Sequence, residues 1–347
     1  MEQFRDKIFN EEVFERYTKK LPSTKENSLI KNGLFNNVNK YKAKFASQTG
    51  GYAIIEPIAG RIGGTPVNYD GNTDIPKGAE RDTFFQRKIA YGRANSWGEY
   101  DFSADITNKN FMAEAQEVKD YWDEQRQSTV LAILEGIFGM TGGVNGQFVS
   151  KHTYDISAAA TPTLTADALN KAAQKALGDK KAKLDVIFMH SAVSTELEGL
   201  NLINFLKYTD SDGIERDLTI GTFNGRLVVV DDEMPSTTDS VGTKYTSYLF
   251  QKKFFEYEDL GVVSNKAIEL ARDAYTKGGK TDLISRIREI IVPMYISYKG
   301  TDAISPENTD FADGSNWELV NNAKNGGNKV YVDDKLIPLA RIISRVE

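Results

Sequence analysis

A long glycine-rich stretch between two β-type segments is the feature that most restricts how this chain can fold. The segments at 52–58 and 83–91 are rich in apolar and aromatic residues, and glycines stand between them at positions 60, 63, 64, 71 and 78. A connection of about 20 residues without secondary structure of its own is rare inside a compact domain, and it usually projects or carries function. Two strands alone are only marginally stable in water. Residues 47–103 therefore predict an extended β loop that needs a partner surface.

A long helix is predicted directly after this loop. Residues 111–138 contain no proline, Asn110 is a suitable N-cap and Gly139 ends the pattern. About 28 residues at 1.5 Å each give roughly 42 Å, against about 11 or 12 residues for an average helix. Such a helix would act as a spine. Its apolar stripe at helical spacing includes Val118, Trp122 and Ile133.

The first part of the chain, 1–46, is predicted to form an N-terminal arm. A short helical pattern precedes Pro22, and a polar stretch rich in Asn and Lys follows from 23 to 44. A segment of this composition buries little surface by itself, and it can become ordered by lying across a neighbour. Its predicted contact residues are Leu34, Phe35, Tyr41 and Phe45.

Residues 151–261 have the pattern of a separate α+β unit. A helix is predicted from Thr165 to position 177, and Ser191 is the predicted cap of a second helix that ends near 206. Asn224-Gly225 suits both left-handed positions of a type I′ turn, which predicts a hairpin over 219–230. Further strands are predicted at 184–189 and 245–250.

The rest of the chain is expected to return to the long helix. Residues 268–275 read as a strand or a helix, and strands are predicted at 287–298, 329–332 and 337–343. Together with 104–150, residues 262–347 are predicted to form a peripheral domain that contains the spine helix. The predicted fold class is α+β.

Composition excludes several classes of protein. The chain has 347 residues, 40% of them hydrophobic, which is enough for two or three folded domains. A net charge of −6 argues against a surface built to neutralise nucleic-acid phosphates. The absence of cysteine excludes disulfides, thiolate catalysis and cysteine zinc sites. No signal-peptide pattern or apolar run of membrane length is found, which predicts a protein of the cytosol or of a particle assembled there.

The two histidines and one glycine-lysine motif are the first candidates for chemistry. Neither His152 nor His190 stands at a metal-ligand spacing or in a nucleophile arrangement. His190 follows an apolar strand, and a polar residue at a strand end is favoured there over a catalytic role. Gly279-Lys280-Thr281 has the last letters of a phosphate-binding loop, but Ala274 stands where the first glycine is required. An exposed turn is favoured at this point.

Two acidic segments and an aromatic group are also favoured as structural. The acids at 231–233 would hold a divalent cation only with ligands from elsewhere, and 210–213 lacks the closing glutamate of a calcium loop. The aromatic residues Trp97, Tyr100 and Phe102 more often cover the root of a sheet than stack on a ligand. No catalytic, cofactor-binding or metal-binding residue is therefore predicted, and the chain is expected not to be an enzyme.

The order of these parts resembles a known family. Three stretches add to the resemblance: 120–136 in the spine helix, 224–232 in the α+β unit and 316–320 near the end. In these respects the chain is similar to the major capsid proteins of tailed bacteriophages, which have the Hong Kong 97 head-protein fold. That fold consists of an N-terminal arm, an extended β loop, a long spine helix and an inserted axial domain.

The resemblance implies a structural protein that self-assembles into pentamers and hexamers. These would form an icosahedral shell around double-stranded phage DNA, which is enclosed without sequence-specific binding. The axial domain, 151–261, would lie at the centres of the pentamers and hexamers, and the peripheral domain at threefold contacts. A scaffolding protein, a portal and other head proteins are the implied partners, with no membrane and no cofactor. The implied location is the virion, after assembly in the cytoplasm of the host bacterium.

Within the extended loop, Arg61 and Lys77 are the predicted intersubunit contacts. Some members of the resembled family join a loop lysine to a neighbouring asparagine, with a glutamate as base. Lys77 is the candidate lysine here, without a matching asparagine or glutamate. Two alternatives stay open: an encapsulin-like compartment that encloses enzyme cargo, and a monomeric enzyme that uses Asp231, Asp232 and His190.

Overall fold

The computed structural model describes residues 33–46, 52–75, 81–102, 105, 115–209, 215–262, 267–300, 303–323 and 329–346. Lys77, Asn110, the 210–213 segment and the arm before Gly33 lie outside these residues. The described helices are α1 (Tyr41–Ala46), α2 (Ala115–Phe138), α3 (Gly143–His152), α4 (Ala166–Leu177), α5 (Ser191–Gly199) and α6 (Asn308–Ala312). The described strands are β1 (Phe35–Asn37), β2 (Ala53–Ala59), β3 (Thr83–Tyr100), β4 (Thr153–Asp155), β5 (Val186–Met189), β6 (Ile203–Thr209), β7 (Glu215–Phe223), β8 (Arg226–Val230), β9 (Ser236–Asp239), β10 (Gly242–Phe250), β11 (Phe255–Asp259), β12 (Ile268–Asp273), β13 (Lys280–Pro293), β14 (Ile296–Tyr298), β15 (Trp317–Leu319) and β16 (Leu339–Arg345).

The first sheet is built around two long antiparallel strands, β3 and β13. Its strand order is β1-β11-β13-β3-β2, and β12 pairs with the first half of β13. β2 pairs antiparallel with the beginning of β3, so these two strands form the root of the predicted loop. Both predicted strands are confirmed, and residues 61–75 between them are exposed throughout.

The predicted long helix is present as α2. It has 24 residues, which corresponds to about 36 Å, and its predicted end at Phe138 is confirmed. The predicted first turn, before Ala115, lies outside the described residues. Trp122 and Ile133 are buried and Val118 is half-buried. The apolar stripe read from the sequence is therefore the face that packs on the sheets.

Helix α2 connects the first sheet with a second one. The indole Nε1 of Trp122 donates a hydrogen bond to Ser285 Oγ of β13 at 2.9 Å. At the other end of the helix, Phe138 stacks on Tyr248 of β10, with 5.6 Å between the ring centroids. One continuous apolar cluster runs from the first sheet past the helix into the second sheet. The helix thus fixes the two sheets against each other.

One glycine sets how closely α2 packs on the short helix α6. A Cβ added at Gly136 would lie 2.0 Å from the carbonyl oxygen of Phe311 and 2.5 Å from the indole nitrogen of Trp317. That nitrogen donates to the same carbonyl at 2.7 Å. Glycine is therefore required at this position, although it lowers intrinsic helix stability by about 1 kcal/mol relative to alanine.

The second sheet has the strand order β4-β16-β10-β5-β8-β7-β6, and β9 pairs with β10. Helices α4 and α5 cover one face and build a second apolar cluster there. The C-terminal strand β16 lies between β4 and β10. The sequence predicted that all of 262–347 belongs to the peripheral domain with the spine helix, whereas this strand lies in the second sheet. Most of its side chains are buried, as in a central strand covered on both faces.

The strand pairing also does not follow the domain boundary predicted at residue 261. β11 falls inside the predicted 151–261 unit, yet it pairs with β13 of the first sheet. The chain therefore returns to the first sheet directly after β10. Phe254 and Phe255, both buried, lie at this crossing point and pack into the cluster shared by the two sheets.

Local sequence signals predicted several elements correctly. Thr165 caps α4 by accepting from Ala168 N. Asn224 and Gly225 have φ values of 50° and 75°, as the type I′ turn between β7 and β8 requires. The ambiguous 268–275 segment forms a strand, β12, as far as Asp273.

Some segments were predicted wrongly, and three helices were missed. The helix predicted to end near 206 stops at Gly199, because Asn201 turns with a φ of 54° and β6 begins soon after. The strand predicted over 287–298 is divided into β13 and β14 by a turn at Tyr295, whose φ is 58°. Helices α1, α3 and α6 were not predicted, and the strand predicted at 329–332 is reduced to an isolated bridge at Tyr331.

Candidate assembly surface

The predicted contact residues of the arm lie in the subunit's own core. Leu34, Tyr41 and Phe45 are buried against the rest of the chain. Phe35 stacks on Tyr257 with 5.0 Å between the ring centroids. Strands and helices of the same chain cover Leu34, Tyr41 and Phe45, so these side chains are not free to contact a neighbour, whereas Phe35 is half-buried. From Gly33 onward the arm is part of the folded subunit.

Backbone contacts explain why this part of the arm is held in place. β1 pairs in parallel with β11. The carboxylate of Glu258 on β11 accepts hydrogen bonds from the backbone nitrogens of Lys40 (2.9 Å), Tyr41 (2.7 Å) and Lys42 (3.0 Å). These nitrogens stand at the start of α1, where donors have no partner within the helix and where a negative charge is favourable.

Lys88 is at the centre of a buried charge cluster at the root of the loop. Its side chain is 2% exposed, and its ammonium donates to Tyr41 Oη (2.6 Å), to Glu256 (3.3 Å) and to Glu56. Glu56 belongs to β2, Glu256 to β11 and Tyr41 to α1. One ammonium on β3 therefore joins three further elements.

The carboxylates of this charge cluster are stabilised in the ionised form. Burial opposes the charge of Glu56, but hydrogen bonds from Lys44 and Lys88 outweigh it and lower its pKa to about 2. Burial likewise opposes the charge of Glu256, yet the hydrogen bond from Tyr41 helps to lower its pKa. Burial and the bond to Glu256 raise the pKa of the Tyr41 phenol. The loop therefore leaves the subunit from a root held by ionic hydrogen bonds.

A second buried ion pair fixes α2 on the first sheet. Glu289 of β13 is 0% exposed and accepts from Arg126 Nη2 at 2.5 Å. The phenols of Tyr257 (3.0 Å) and Tyr91 (3.2 Å) donate to the same carboxylate. Burial opposes the charge of Arg126, but its hydrogen bond to Glu289 raises the pKa of the guanidinium above its ordinary value. The spine helix is thus attached by charge as well as by apolar packing.

The loop beyond this root presents apolar side chains to solvent. Tyr69 is 92% exposed, and Ile62, Val67 and Ile75 are also exposed. Asp70 accepts from the backbone nitrogens of Asn72 (2.9 Å) and Thr73 (2.7 Å) and so shapes the turn that follows. Arg61 is exposed at the beginning of the loop, and Lys77 lies outside the described residues. Four large apolar side chains on one projecting segment are typical of a contact surface.

The outer edges of β2 and β12 in the first sheet are not paired within the described residues. Backbone bonds from Gly60 to Asp82 and from Ala90 to Tyr52 show that even-numbered residues of β2 face β3. Odd-numbered residues, including Pro57, therefore turn their backbone groups outward. Proline has no N–H, so it interrupts the row of donors on this edge. The outer edge of β12 contains no proline.

The residues considered for chemistry have structural roles. The ring Nδ1 of His152 lies 2.5 Å from the carbonyl oxygen of Leu339, and burial lowers the pKa of this histidine. His190 caps α5 by accepting from Ala192 N at 3.1 Å; the residue before the predicted Ser191 is the cap. Asp231 accepts from Gln127 Nε2 of α2 at 2.6 Å. His152 and Asp231 thus connect separate elements, and His190 caps its own helix.

Other candidate motifs are equally structural in the described part of the chain. The Gly279-Lys280-Thr281 motif leads into β13 instead of preceding a helix. Trp97 packs edge-on against Tyr121 of α2 at 5.1 Å between ring centroids, which agrees with the favoured role as cover for the sheet. Among the described residues, no group of three His, Cys, Asp or Glu side chains is arranged to hold a metal ion. None of the described helices is long and apolar enough to cross a membrane.

Comparison with known proteins identifies the family. The model of the Gp13-like family, described as major capsid protein 13-like, matches residues 129–327. The major capsid protein of Bacillus phage SPP1 is 30% identical over 236 residues, which are 67% of this chain and 68% of that protein. The chain belongs to this family of phage major capsid proteins. It is a structural subunit of the head shell of a tailed phage, and an encapsulin-like role is not favoured.

Solved structures agree with this fold. The capsid asymmetric unit of cyanophage Pam1 has a TM-score of 0.54 at 10% identity, covering 85% of this chain and 95% of that chain. The acidic stable capsid structure of Helicobacter pylori bacteriophage KHP30 has a TM-score of 0.53 at 12% identity, covering 99% and 100%. The predicted α+β capsid fold is therefore confirmed.

The two charge clusters are the features that sequence reasoning missed. Lys88 and Glu289 each stand in a strand, directly after an arginine and before an isoleucine, so the adjacent residues do not mark them as buried. The available signal was periodicity: Glu289 falls on the same side of β13 as Leu283 and Ile291, both buried. A charge on an apolar face predicts a buried partner. The identity of that partner depends on strand pairing, which is not visible in the sequence.

Proposed function

We propose that this capsid protein assembles into pentamers and hexamers that close into an icosahedral shell around double-stranded DNA. The exposed loop, with Ile62, Val67, Tyr69 and Ile75 on its surface, is the observation that carries this proposal. A monomer in water gains nothing from four exposed apolar side chains on one projection, whereas a subunit that covers its neighbour buries them.

The parts of the subunit have distinct roles in this proposal. The second sheet with α4 and α5 forms the axial domain at the centre of each pentamer or hexamer. The first sheet with α2 forms the peripheral domain near the threefold contacts. The loop between β2 and β3 crosses to the adjacent subunit, with Arg61 and Lys77 as further contacts. The charge cluster at Lys88 supports this role, because a clamp transmits force only from a rigid root.

The partners follow from assembly around a genome. A scaffolding protein, a portal and other head proteins would act with this chain in the cytoplasm of a bacterial host, and the finished protein would reside in the virion. The DNA would be enclosed without sequence-specific binding. A net charge of −6 supports this, since a strongly basic inner wall would bind the genome that it stores.

Electron microscopy of the purified protein tests the proposal. Negative staining at rising protein concentration should show closed shells, rings or sheets. A monomer at all concentrations would contradict self-assembly.

Deletion of residues 60–77 tests the role of the loop. The variant should fold, because residues 61–75 are exposed, but it should not assemble. A matched variant keeps the loop length and replaces its exposed apolar residues by serine; it should assemble poorly for the same reason. Shells of normal stability from either variant would show that the loop is not an intersubunit clamp. Circular dichroism of each variant serves as the control for folding.

A further inference from the structure

Among the residues that the structure describes, no strand pairs with the outer edge of β12, and this edge carries apolar side chains. The bond from Arg286 N to Ala267 O (2.8 Å), together with the antiparallel register, places Glu269 and Ala271 in the inward-facing set. The backbone groups of Ile268, Leu270 and Arg272 therefore point away from β13. Ile268 is 63% exposed and Leu270 is 45% exposed. Such an edge accepts a further strand.

The loop contains a segment with matching features. Residues 65–69 are exposed and have no regular secondary structure. In an extended conformation, Thr65, Val67 and Tyr69 would have their side chains on one face and their backbone N–H and C=O groups on one edge. Pro66 and Asn68 would have theirs on the opposite face and edge. If the odd-numbered residues face β12, the missing N–H of Pro66 falls on the far side. The added strand would then be closed to further pairing.

A cleft with several basic residues lies beside the Ile268 end of the edge. Its volume is about 250 Å³, and its lining includes the basic residues Lys119, Arg126, Arg286 and Arg288 and the acidic residue Asp259. Arg126 and Arg286 have carboxylate partners in Glu289 and Glu269, so Lys119 and Arg288 add further positive charge.

The loop carries the complementary charge on one side of its strand-like segment. Asp70 and Asp74 both follow Tyr69, whereas Arg61 precedes it. The hydrogen bonds from Asn72 and Thr73 lower the pKa of Asp70 to about 2, so its carboxylate is ionised at neutral pH. Charge complementarity therefore directs the Tyr69 end of the segment toward the cleft.

We propose that residues 65–70 of one subunit add as an antiparallel strand to the outer edge of β12 in a second copy of this chain. Val67 then stands opposite Leu270, and Tyr69-Asp70 lies at the basic cleft beside Ile268. This inference rests on the proposed function and specifies which surface of the neighbour receives the loop. The edge of β2 is a poorer acceptor, because Pro57 interrupts its outward donors.

Cysteine crosslinking tests the proposed pair directly, because the chain has no cysteine. Opposite residues of a hydrogen-bonded antiparallel pair have Cα atoms about 5.5 Å apart, within the range for a disulfide. Shells of a Val67→Cys, Leu270→Cys double variant should give ladders of linked subunits on non-reducing gels after mild oxidation. The matched control is Val67→Cys with Val241→Cys, since Val241 is an exposed residue of the β9–β10 turn in the other sheet.

The outcomes separate this inference from the proposed function. Linking at least tenfold above the control supports the strand pairing. Shells that form with no more linking than the control overturn it and leave the shell function intact. Failure of the cysteine-free parent to assemble overturns the proposed function and this inference with it.

A charge reversal tests the orientation. Asp70→Lys should lower the yield of shells at least tenfold, whereas Asp70→Asn, which keeps the acceptor of the turn, should lower it less. Equal yields from Asp70→Lys and the parent would contradict the placement of Asp70 at the basic cleft.

Discussion

Replacing Gly136 by alanine tests the packing of the spine helix quantitatively. In an open helix, alanine is more favourable than glycine by about 1 kcal/mol. Here the new methyl carbon would lie 2.0 Å from the carbonyl oxygen of Phe311 and 2.5 Å from the indole nitrogen of Trp317. Overpacking in a closely packed interior costs about 1–3 kcal/mol. The hydrogen bond between these two groups, which must give way, contributes about 1 kcal/mol, and leaving the buried indole without a partner costs more.

The opposing effects should lower the free energy of unfolding by about 2 kcal/mol, since the steric and hydrogen-bond costs exceed the gain in helix propensity. Urea unfolding followed by tryptophan fluorescence measures it, because Trp317 lies at the contact. The matched control is Gly146→Ala in α3, where the nearest atom to the new Cβ is 3.6 Å away. The free energy of unfolding of that variant should rise by about 0.5–1 kcal/mol. If Gly136→Ala is as stable as Gly146→Ala, the close approach of α2 to α6 is not rigid and the reasoning fails.

Three further predictions concern the charge clusters. Lys88→Met should lower the free energy of unfolding by about 3 kcal/mol, since it leaves two carboxylates without their buried cation. Chemical denaturation measures this change. The control is Lys181→Met at an exposed residue, which should change the free energy of unfolding by less than about 0.5 kcal/mol. Arg126→Met should cost about 3–5 kcal/mol in the same assay, because it leaves the Glu289 carboxylate buried and unpaired. The folded pKa of Glu56, about 2, lies below its ordinary value of 4.5, so the stabilisation is present above pH 4.5 and is lost as the pH falls toward 2. Unfolding measured over this range should show a steeper loss for the parent than for Glu56→Gln.

Each of these predictions has a contrary result. Equal stability of Lys88→Met and Lys181→Met would show that the cluster at the loop root adds no net stabilisation. An unchanged unfolding midpoint for Arg126→Met would mean that the tyrosine hydroxyls satisfy Glu289 without the guanidinium. Parallel pH profiles of the parent and Glu56→Gln would assign the acid sensitivity to other carboxylates.

The elements that the sequence predicted well are those decided by local chemistry. Asn224-Gly225 determines its turn through backbone preferences of two residues, and Thr165 caps its helix through a bond to a residue three positions away. The loop was recognised because glycine and polar residues exclude a buried strand. In each case the deciding interactions lie within a few positions along the chain.

The features that were missed depend on pairing over long distances. Leu34 and Tyr41 look like anchors of an exposed arm until β11, more than two hundred residues later, is seen to cover them. β16 has the composition of a buried strand, but nothing in it specifies which sheet receives it. Lys88 shows the same dependence, because its partners come from three separate segments. Topology, and not local preference, determines these contacts.

Pro57 on the outer edge of β2 affects whether subunits stack into fibres instead of closing into shells. A head shell is built from many copies of its subunit, and bare strand edges at high concentration lead to open-ended fibres. Fibre growth and shell closure draw on the same pool of subunits, so even slow stacking of identical edges would deplete the supply. A single residue without an N–H slows the unwanted polymer, while the edge of β12, beyond β3 and β13, stays available for the proposed contact with a second copy. Replacing it with valine should therefore shift material from shells toward thioflavin-positive aggregates, at no cost to the folded subunit.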